Sequence, residues 1–245
     1  MDETADAPRI MTEHGRGTLT GEAARSAFRR SGYLCVEGAL DPTFCRATIG
    51  TLAQASMVAV ASQDLRGVTR FLTLNGEELL ARAPRLEGLY EQFGRVVSFI
   101  TGETLLPLDN RSVGLSLNYT HPGGGFVRHF DRNEMTVSLY LNTVDAGELL
   151  IWPNVVSPLL DVFGRYKLPL ALRATRLRKP IDIPPRTGTA VVFSRRTAHA
   201  VSPVAGSRAR VSVIMAFDRP GKSFQEVPDY YGRGAQRVVL DRVEA

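Results

Sequence analysis

A chain of 245 residues, 44% of them hydrophobic, can bury a substantial core and suits a single all-β barrel with helical additions. No run approaches the ~20 apolar residues a membrane-crossing helix needs, no signal-peptide core is present, and two cysteines cannot make a disulfide framework, so a reduced, cytoplasmic protein is expected. The formal net charge of +5 comes with no helix-turn-helix, zinc-finger or RNP-like motif, which disfavours nucleic acid as a partner.

Residues 1–18 are charged, contain glycine and lack periodicity, and read as a disordered leader. A helix follows, with Thr20 as its N-cap, Ala24, Ala27 and Phe28 as an apolar stripe, and Ser31-Gly32 at its end. Residues 33–36 read as a strand. Asp41 followed by Pro42 has the form of an N-cap and a first-turn proline, and predicts a helix running toward Ala59. Residues 68–74 predict another strand. From Pro84, a longer helix carries Leu86, Leu89, Tyr90, Phe93, Val96, Val97 and Ile100 on one face, the pattern of a helix packed on a sheet. Residues 19–110 thus form a mainly helical support, and Cys35 and Cys45 read as ordinary buried thiols.

From Ser112 the period changes to short strands separated by turn signals. They span 113–119, 126–131, 135–141, 148–152, 189–193, a short piece around His199, and 210–217, with Pro122-Gly123-Gly124-Gly125 as a turn. About eight strands in this arrangement predict a mainly β fold with flanking helices, a double-stranded β-helix of the jelly-roll or cupin type. The barrel core is placed at 111–219 within one domain, 19–245. Residues 154–187 interrupt it and are too long for a simple connection. They mix Arg165, Lys167, Arg173, Arg176, Arg178 and Lys179 with Leu159, Leu160, Phe163 and Leu168. Either a lid that closes on an anionic substrate or a solvated face on a packed insertion fits that mixture. The tail from Pro220 is polar and aromatic, and either packs back on the barrel or stays mobile.

The chemistry centres on Phe126-Val127-Arg128-His129-Phe130-Asp131. His129 and Asp131 are two apart, so on a strand both leave the same face. An imidazole and a carboxylate so placed are two-thirds of the 2-His-1-carboxylate triad that holds non-haem Fe(II) and leaves positions open. An HxD tripeptide alone usually marks a surface strand, so a third ligand is needed. His14 lies in the polar tail and His121 in a glycine-rich loop, which leaves His199. Downstream, Arg208-Ala209-Arg210 opens a β-branched strand, where an arginine could hold a dicarboxylate through a bidentate salt bridge.

Four stretches carry a resemblance: YTHPGGGFVRHFD at 119–131, SLYLN at 138–142, GELLIWP at 147–153 and GTAVVFSRRTAHAVSPVAGSRARVSVIMAF at 188–217. In order and spacing they resemble the Fe(II)/2-oxoglutarate-dependent dioxygenases, closest to the prolyl-hydroxylase-like branch, over about the C-terminal half of the chain. The helix-strand-helix opening is also similar to that family. The resemblance implies that His129, Asp131 and His199 are the iron ligands. It implies Arg210 as the 2-oxoglutarate anchor, with Arg208 as the same-parity alternative, and Tyr140 and Tyr119 as tyrosines lining that pocket. Fe(II), 2-oxoglutarate and O2 follow as cofactor and co-substrates.

The expected reaction is hydroxylation of an unactivated C–H bond, giving succinate and CO2. Asp131 argues against the related halogenases, which carry a small residue there, and leaves desaturation or cyclisation as branches. One departure concerns substrate. Several relatives place a tryptophan of the last core strand near the iron, where this chain has Ala216. That favours a small-molecule substrate, an amino acid or natural-product intermediate, possibly anionic and free or carrier-bound, over a prolyl peptide. A non-catalytic cupin-type binding protein is the third reading. Trp152 either walls the substrate pocket or fills the core, with the core favoured.

Overall fold

Capping chemistry sets the entry to the chain. In the computed structural model, which describes residues 10–64, 67–153, 175–222, 226–241 and 243, Thr12 accepts the Gly15 amide and starts α1 (Glu13–Thr20). This corrects the expectation of a leader through residue 18. Leu19 is buried, and Gly15 lies so close to the Ala39 backbone that any Cβ would overlap it, so packing supplies the order that composition did not suggest. Residues 1–9 lie outside the described residues. Helix α2 (Glu22–Ser31) starts after Gly21, not at Thr20, and ends at Gly32, whose φ of 76° suits a residue without Cβ.

Strand β1 (Tyr33–Val36) follows, and Asp41 accepts the Thr43 and Phe44 amides to open α3 (Pro42–Gly50). That helix stops nine residues short of Ala59. Gln54 takes a φ of 59°, and the chain re-enters as β2 (Ser56–Asp64), antiparallel to β3 (Gly67–Asn75). The helical expectation fails here because pairing with β3 satisfies the backbone of an Ala/Val-rich segment that local propensity leaves ambiguous. Helix α4 (Gly76–Arg82) precedes α5 (Arg85–Thr101), which buries the predicted face from Leu86 to Ile100.

The remainder is strand-rich: β4 (Leu106–Pro107), the single-turn α6 (Arg111–Gly114), β5 (Leu115–Thr120), β6 (Phe126–His129), β7 (Met135–Tyr140), β8 (Leu149–Trp152), β9 (Ile181–Ile183), β10 (Ala190–Ser194), β11 (Ala198–Val201), β12 (Arg210–Asp218) and β13 (Arg237–Val239). Among the described residues they form two antiparallel sheets. The larger runs β1-β10-β7-β12-β5-β3-β2-β13, with β4 on the end of β12; the smaller runs β6-β11-β8-β9. Tyr140, Val191 and Phe193 of the larger sheet share one buried cluster with Leu149, Ile151 and Ile183 of the smaller. The sheets therefore face each other as a double-stranded β-helix.

Strand alternation divides the larger sheet into two faces. Val137, Leu139, Val211, Val213, Met215 and Phe217 join α5 in the main core, where Tyr90 meets Phe217 edge-on at 5.0 Å. Each such side chain contributes about 1.5–3 kcal/mol by leaving water. The alternate residues, among them Thr136, Ser138, Tyr140, Arg210 and Ser212, turn into the barrel, and they are polar. One face thus holds the fold together and the other is left for a site.

Two further expectations change, and one open alternative is decided. Residues 181–183, read as part of the insertion, form β9 of the smaller sheet, while 154–174 lie outside the described residues. The tail packs back, since β13 pairs with β2. Of the two free cysteines, Cys45 is buried, with burial pushing its thiol up to about 12, but Cys35 on the edge strand β1 is exposed. No described helix is long and apolar enough to cross a membrane.

Candidate metal and co-substrate site

His129 ends β6 and His199 lies in β11, and the two are direct partners across that antiparallel pair. Asp131 follows just beyond β6, and donor atoms of all three residues lie within 4.8 Å of one another. Asp131 Oδ1 is 3.5 Å from His129 Nε2 and 3.6 Å from His199 Nε2, close enough for one ion to contact all three. The sequence reading named these three residues, and the fold brings them together.

Their orientation has identifiable causes. His129 Nδ1 lies 2.9 Å from the Val127 carbonyl and His199 Nδ1 lies 3.1 Å from the Thr197 carbonyl. A carbonyl only accepts, so each Nδ1 carries the proton and each Nε2 presents a lone pair to the centre. Thr136, at the start of β7, donates its hydroxyl to Asp131 Oδ2, and Asn133 Nδ2 donates to Thr136 Oγ1 at 2.9 Å. The carboxylate is thereby held by one oxygen with the other turned to the histidines. The sequence reading missed Thr136 and Asn133; the pleat places Thr136 on the inner face, but only the fold shows that it meets Asp131.

Burial and charge complete the site. Burial pushes Asp131 up, yet His199, His129 and Thr136 outweigh it and hold the carboxyl well below the usual range. His199 is pushed down to about 4 by burial and by His129, with Asp131 opposing. Asp131 is therefore ionised and His199 neutral at pH 7, the protonation states a metal ligand needs.

Along the inner face of β7, Thr136, Ser138 and Tyr140 follow one another in steps of about 7 Å. At the far end lies Arg210, 3% exposed, with its guanidinium 4.9 Å from the Tyr140 ring centroid. Arg208 precedes β12 and is exposed, so the two arginines are not equivalent. Asn142 fixes the start of β12 by donating to the Ala209 carbonyl at 2.7 Å and accepting the Val211 amide at 2.8 Å. Gly147, at φ 99°, is needed beside the arginine stem, because a Cβ there would lie 3.3 Å from Arg210 Cδ and 2.8 Å from Val204.

Tyr119 is not part of this group. It pairs with Val211 and Leu72 on the helix-packed face, while Arg210 pairs with Thr120. Adjacent residues of a strand point to opposite faces, so its ring lies against His121 on the far side of the sheet. Trp152 also faces away. Its register partner is Ala198, next to His199 and of opposite parity, and it packs in an outer cluster with Ala198 and Ala200. Ala216 does face inward, directly across from Thr136.

The residues fit a metal and an anion. Two neutral imidazoles and a carboxylate are a donor set that non-haem Fe(II) takes. Arg210 Nε, Tyr140 Oη, Ser138 Oγ, Ser212 Oγ and Thr189 Oγ1 are buried with no hydrogen-bond partner among the described residues. Each such group costs about 1–3 kcal/mol unless satisfied. A dicarboxylate between Arg210 and the histidines would supply the acceptors.

Residues 115–218 match the family model of the 2OG-Fe(II) oxygenase superfamily. No curated protein matches the chain in sequence. Among solved structures, the epimerase SnoN in complex with Fe3+, alpha ketoglutarate and nogalamycin RO is 16% identical, with a TM-score of 0.64 over 94% of this chain and 95% of that one. The carbocyclase SnoK from nogalamycin biosynthesis is 16% identical, with a TM-score of 0.64 over 86% and 89%. A Pseudomonas putida prolyl-4-hydroxylase is 17% identical, with a TM-score of 0.56 over 82% and 100%. At these identities the likeness is one of fold, and the matched segment is the barrel that holds the three donors. That segment is similar to the 2OG-Fe(II) oxygenase superfamily, and it carries His129, Asp131 and His199, the donor set that iron in such a family takes.

Proposed function

We propose that this oxygenase hydroxylates an unactivated C–H bond of a small organic molecule, an amino acid or natural-product intermediate, free or carrier-bound. In this reading His129, Asp131 and His199 ligate iron, while Arg210 and Tyr140 hold the distal carboxylate of 2-oxoglutarate. Iron with 2-oxoglutarate and O2 supplies the oxidant for C–H hydroxylation, leaving succinate and CO2. The chain's own work is to hold and orient. Thr136 keeps one carboxylate oxygen directed at the metal position, Asn142 and Gly147 fix the arginine, and Ser138 and Ser212 offer hydroxyls along the path between them.

The observation that carries the small-molecule reading is Ala216, a small residue that stands opposite Thr136, whose hydroxyl meets Asp131. SnoN and SnoK, both from nogalamycin biosynthesis, support the same reading. The likeness to a prolyl-4-hydroxylase makes peptide hydroxylation the second reading.

An anaerobic titration with Fe(II) and then 2-oxoglutarate should develop a weak visible charge-transfer band that is absent from His129→Ala. Aerobic succinate release is then screened with free amino acids, polycyclic natural products and proline-bearing peptides, with product analysis by mass and NMR. Turnover confined to peptides would overturn the small-molecule reading. A band retained in His129→Ala would overturn the ligand assignment.

A further inference from the structure

Burial along the inner face of the larger sheet is uneven. Every residue of β7 is buried, and so are Arg210 and Ser212 of β12. In β5 the pattern alternates. Leu115, Leu117 and Tyr119 are buried on the helix-packed face, whereas Ser116 and Asn118 are only half-buried. Ile214, the register partner of Ser116, is the one half-buried residue of β12. The outer face of β5 is covered, so the exposure of Ser116, Asn118 and Ile214 comes from inside the barrel. The half of the inner face around Arg210 and Tyr140 is closed, and the half around β5 is open.

A register shift brings an aromatic ring to the open half. His129 pairs with His199 and Phe126 with Val201, so three steps along β6 match two along β11. Such a bulge reverses the alternation of a strand. Phe126, which regular spacing would turn away from His129, therefore lies on the same face as that ligand. Its ring centroid is 4.3 Å from that of His129 and 5.3 Å from that of Phe71, and the residue is half-buried. Phe71 is two residues from Thr73, which pairs with Asn118. Asn118 and Phe71 are thus diagonal neighbours on adjacent strands, about 7–8 Å apart. The Ser116 hydroxyl already meets Tyr231. The Asn118 side-chain amide has no partner among the described residues.

We infer that Asn118 and Phe126 are specificity-determining residues that contact the substrate, and that the substrate is a ring-bearing small molecule with a carbonyl or carboxylate oxygen near the ring. This deepens the small-molecule reading and rests on it. A half-buried phenyl ring beside a metal ligand suits a flat or cyclic apolar surface. An amide brings N–H donors for an oxygen a short distance along the same wall. The closed half keeps its buried hydroxyls and Arg210 for the co-substrate, so the two ligands use different parts of one face.

Accessibility is tested first, without a substrate. In a Cys35→Ser background, which removes the exposed native thiol, Asn118→Cys should react with bromotrifluoroacetone. Leu117→Cys, on the buried face, should not. Mn(II) should broaden the fluorine signal of the label at position 118, and should not once His129→Ala is added. Ser116→Cys supplies a second position with the same expectations. Labels that fail to attach at both positions, or that stay sharp while Mn(II) binds, overturn the open half and leave the ligand assignment standing.

The second arm follows prodan, a naphthalene carrying a ketone, by fluorescence in protein loaded with Mn(II) and 2-oxoglutarate. Asn118→Leu and Phe126→Leu should each weaken prodan binding about five- to tenfold, the scale of one lost hydrogen bond or ring contact. Affinity for 2-oxoglutarate should stay within about twofold. Weaker 2-oxoglutarate with unchanged prodan would move both residues to the co-substrate pocket and overturn the inference. Absence of prodan binding to the wild type would overturn the ring-and-oxygen class. Succinate release confined to peptides would instead overturn the small-molecule reading beneath it, with the labelling result left intact.

Discussion

His129 and His199 stand directly opposite each other on β6 and β11, with ring centroids 4.2 Å apart. A separation of 70 residues becomes adjacency because the smaller sheet pairs its first and last strands in chain order. Both donors thus sit on paired backbone, so the site is preorganised before any metal arrives.

Thr136→Val should separate orientation from ligation. The substitution is nearly isosteric, so the strand should persist while Asp131 Oδ2 loses its donor. Affinity for Fe(II) or Co(II) should fall about tenfold, as for partners that orient metal ligands, whereas Asp131→Ala should abolish binding. Wild-type affinity in Thr136→Val, measured by metal titration, would show that the hydroxyl does not orient the carboxylate.

Arg210→Ala should weaken 2-oxoglutarate by about 100-fold, the scale for removing one partner of a buried charge pair, with Fe(II) still bound. Arg208→Ala should change nothing, because Arg208 is exposed and outside β12. Calorimetric titration of both variants decides the register, and the reverse outcome would mean the strand is misassigned by two residues.

Ala216→Trp should leave the metal and 2-oxoglutarate sites able to load and close the space opposite Thr136. Substrate-dependent succinate release should drop roughly ten- to a hundredfold, in line with overpacking costs. Undiminished turnover with the native substrate would place that substrate elsewhere.

The metal-free protein should lose stability on mild acidification. His199 titrates at about 4 when folded, against an ordinary value of 6.5. Between those values the unfolded chain takes up a proton that the folded chain refuses, so stability falls as pH drops through that window. Asp131, held below the usual carboxylate range, adds a loss at still lower pH with the same sign. Melting temperatures from pH 7 to pH 4 should decline, and His199→Asn should flatten the decline. A flat wild-type profile would contradict the buried neutral imidazole.

The features legible in the sequence are those with a local period or a distinctive chemistry. The apolar face of α5 follows from 3.6-residue spacing, and the shared face of His129 and Asp131 follows from two-residue spacing near β6. His199 was reachable because only four histidines exist and two lie in polar or glycine-rich segments. Arg210 stood out as a basic residue opening a β-branched strand, and the family match now covers the segment that carries all four residues.

What the tertiary structure alone decided depends on register and on long-range pairing. Tyr119 has the right spacing from His129 but the wrong face, because β5 pairs Thr120, not Tyr119, with Arg210. Residues 56–64 are Ala/Val-rich and fit either a helix or a strand until β3 and β13 supply hydrogen bonds on both edges. By position Trp152 fits a pocket wall or the core, with the core favoured, and its register with Ala198 turns it into an apolar cluster on the outer face. Local spacing determines what a strand can present; which neighbour it pairs with, and in which register, determines what it does present, and that is a property of the whole chain.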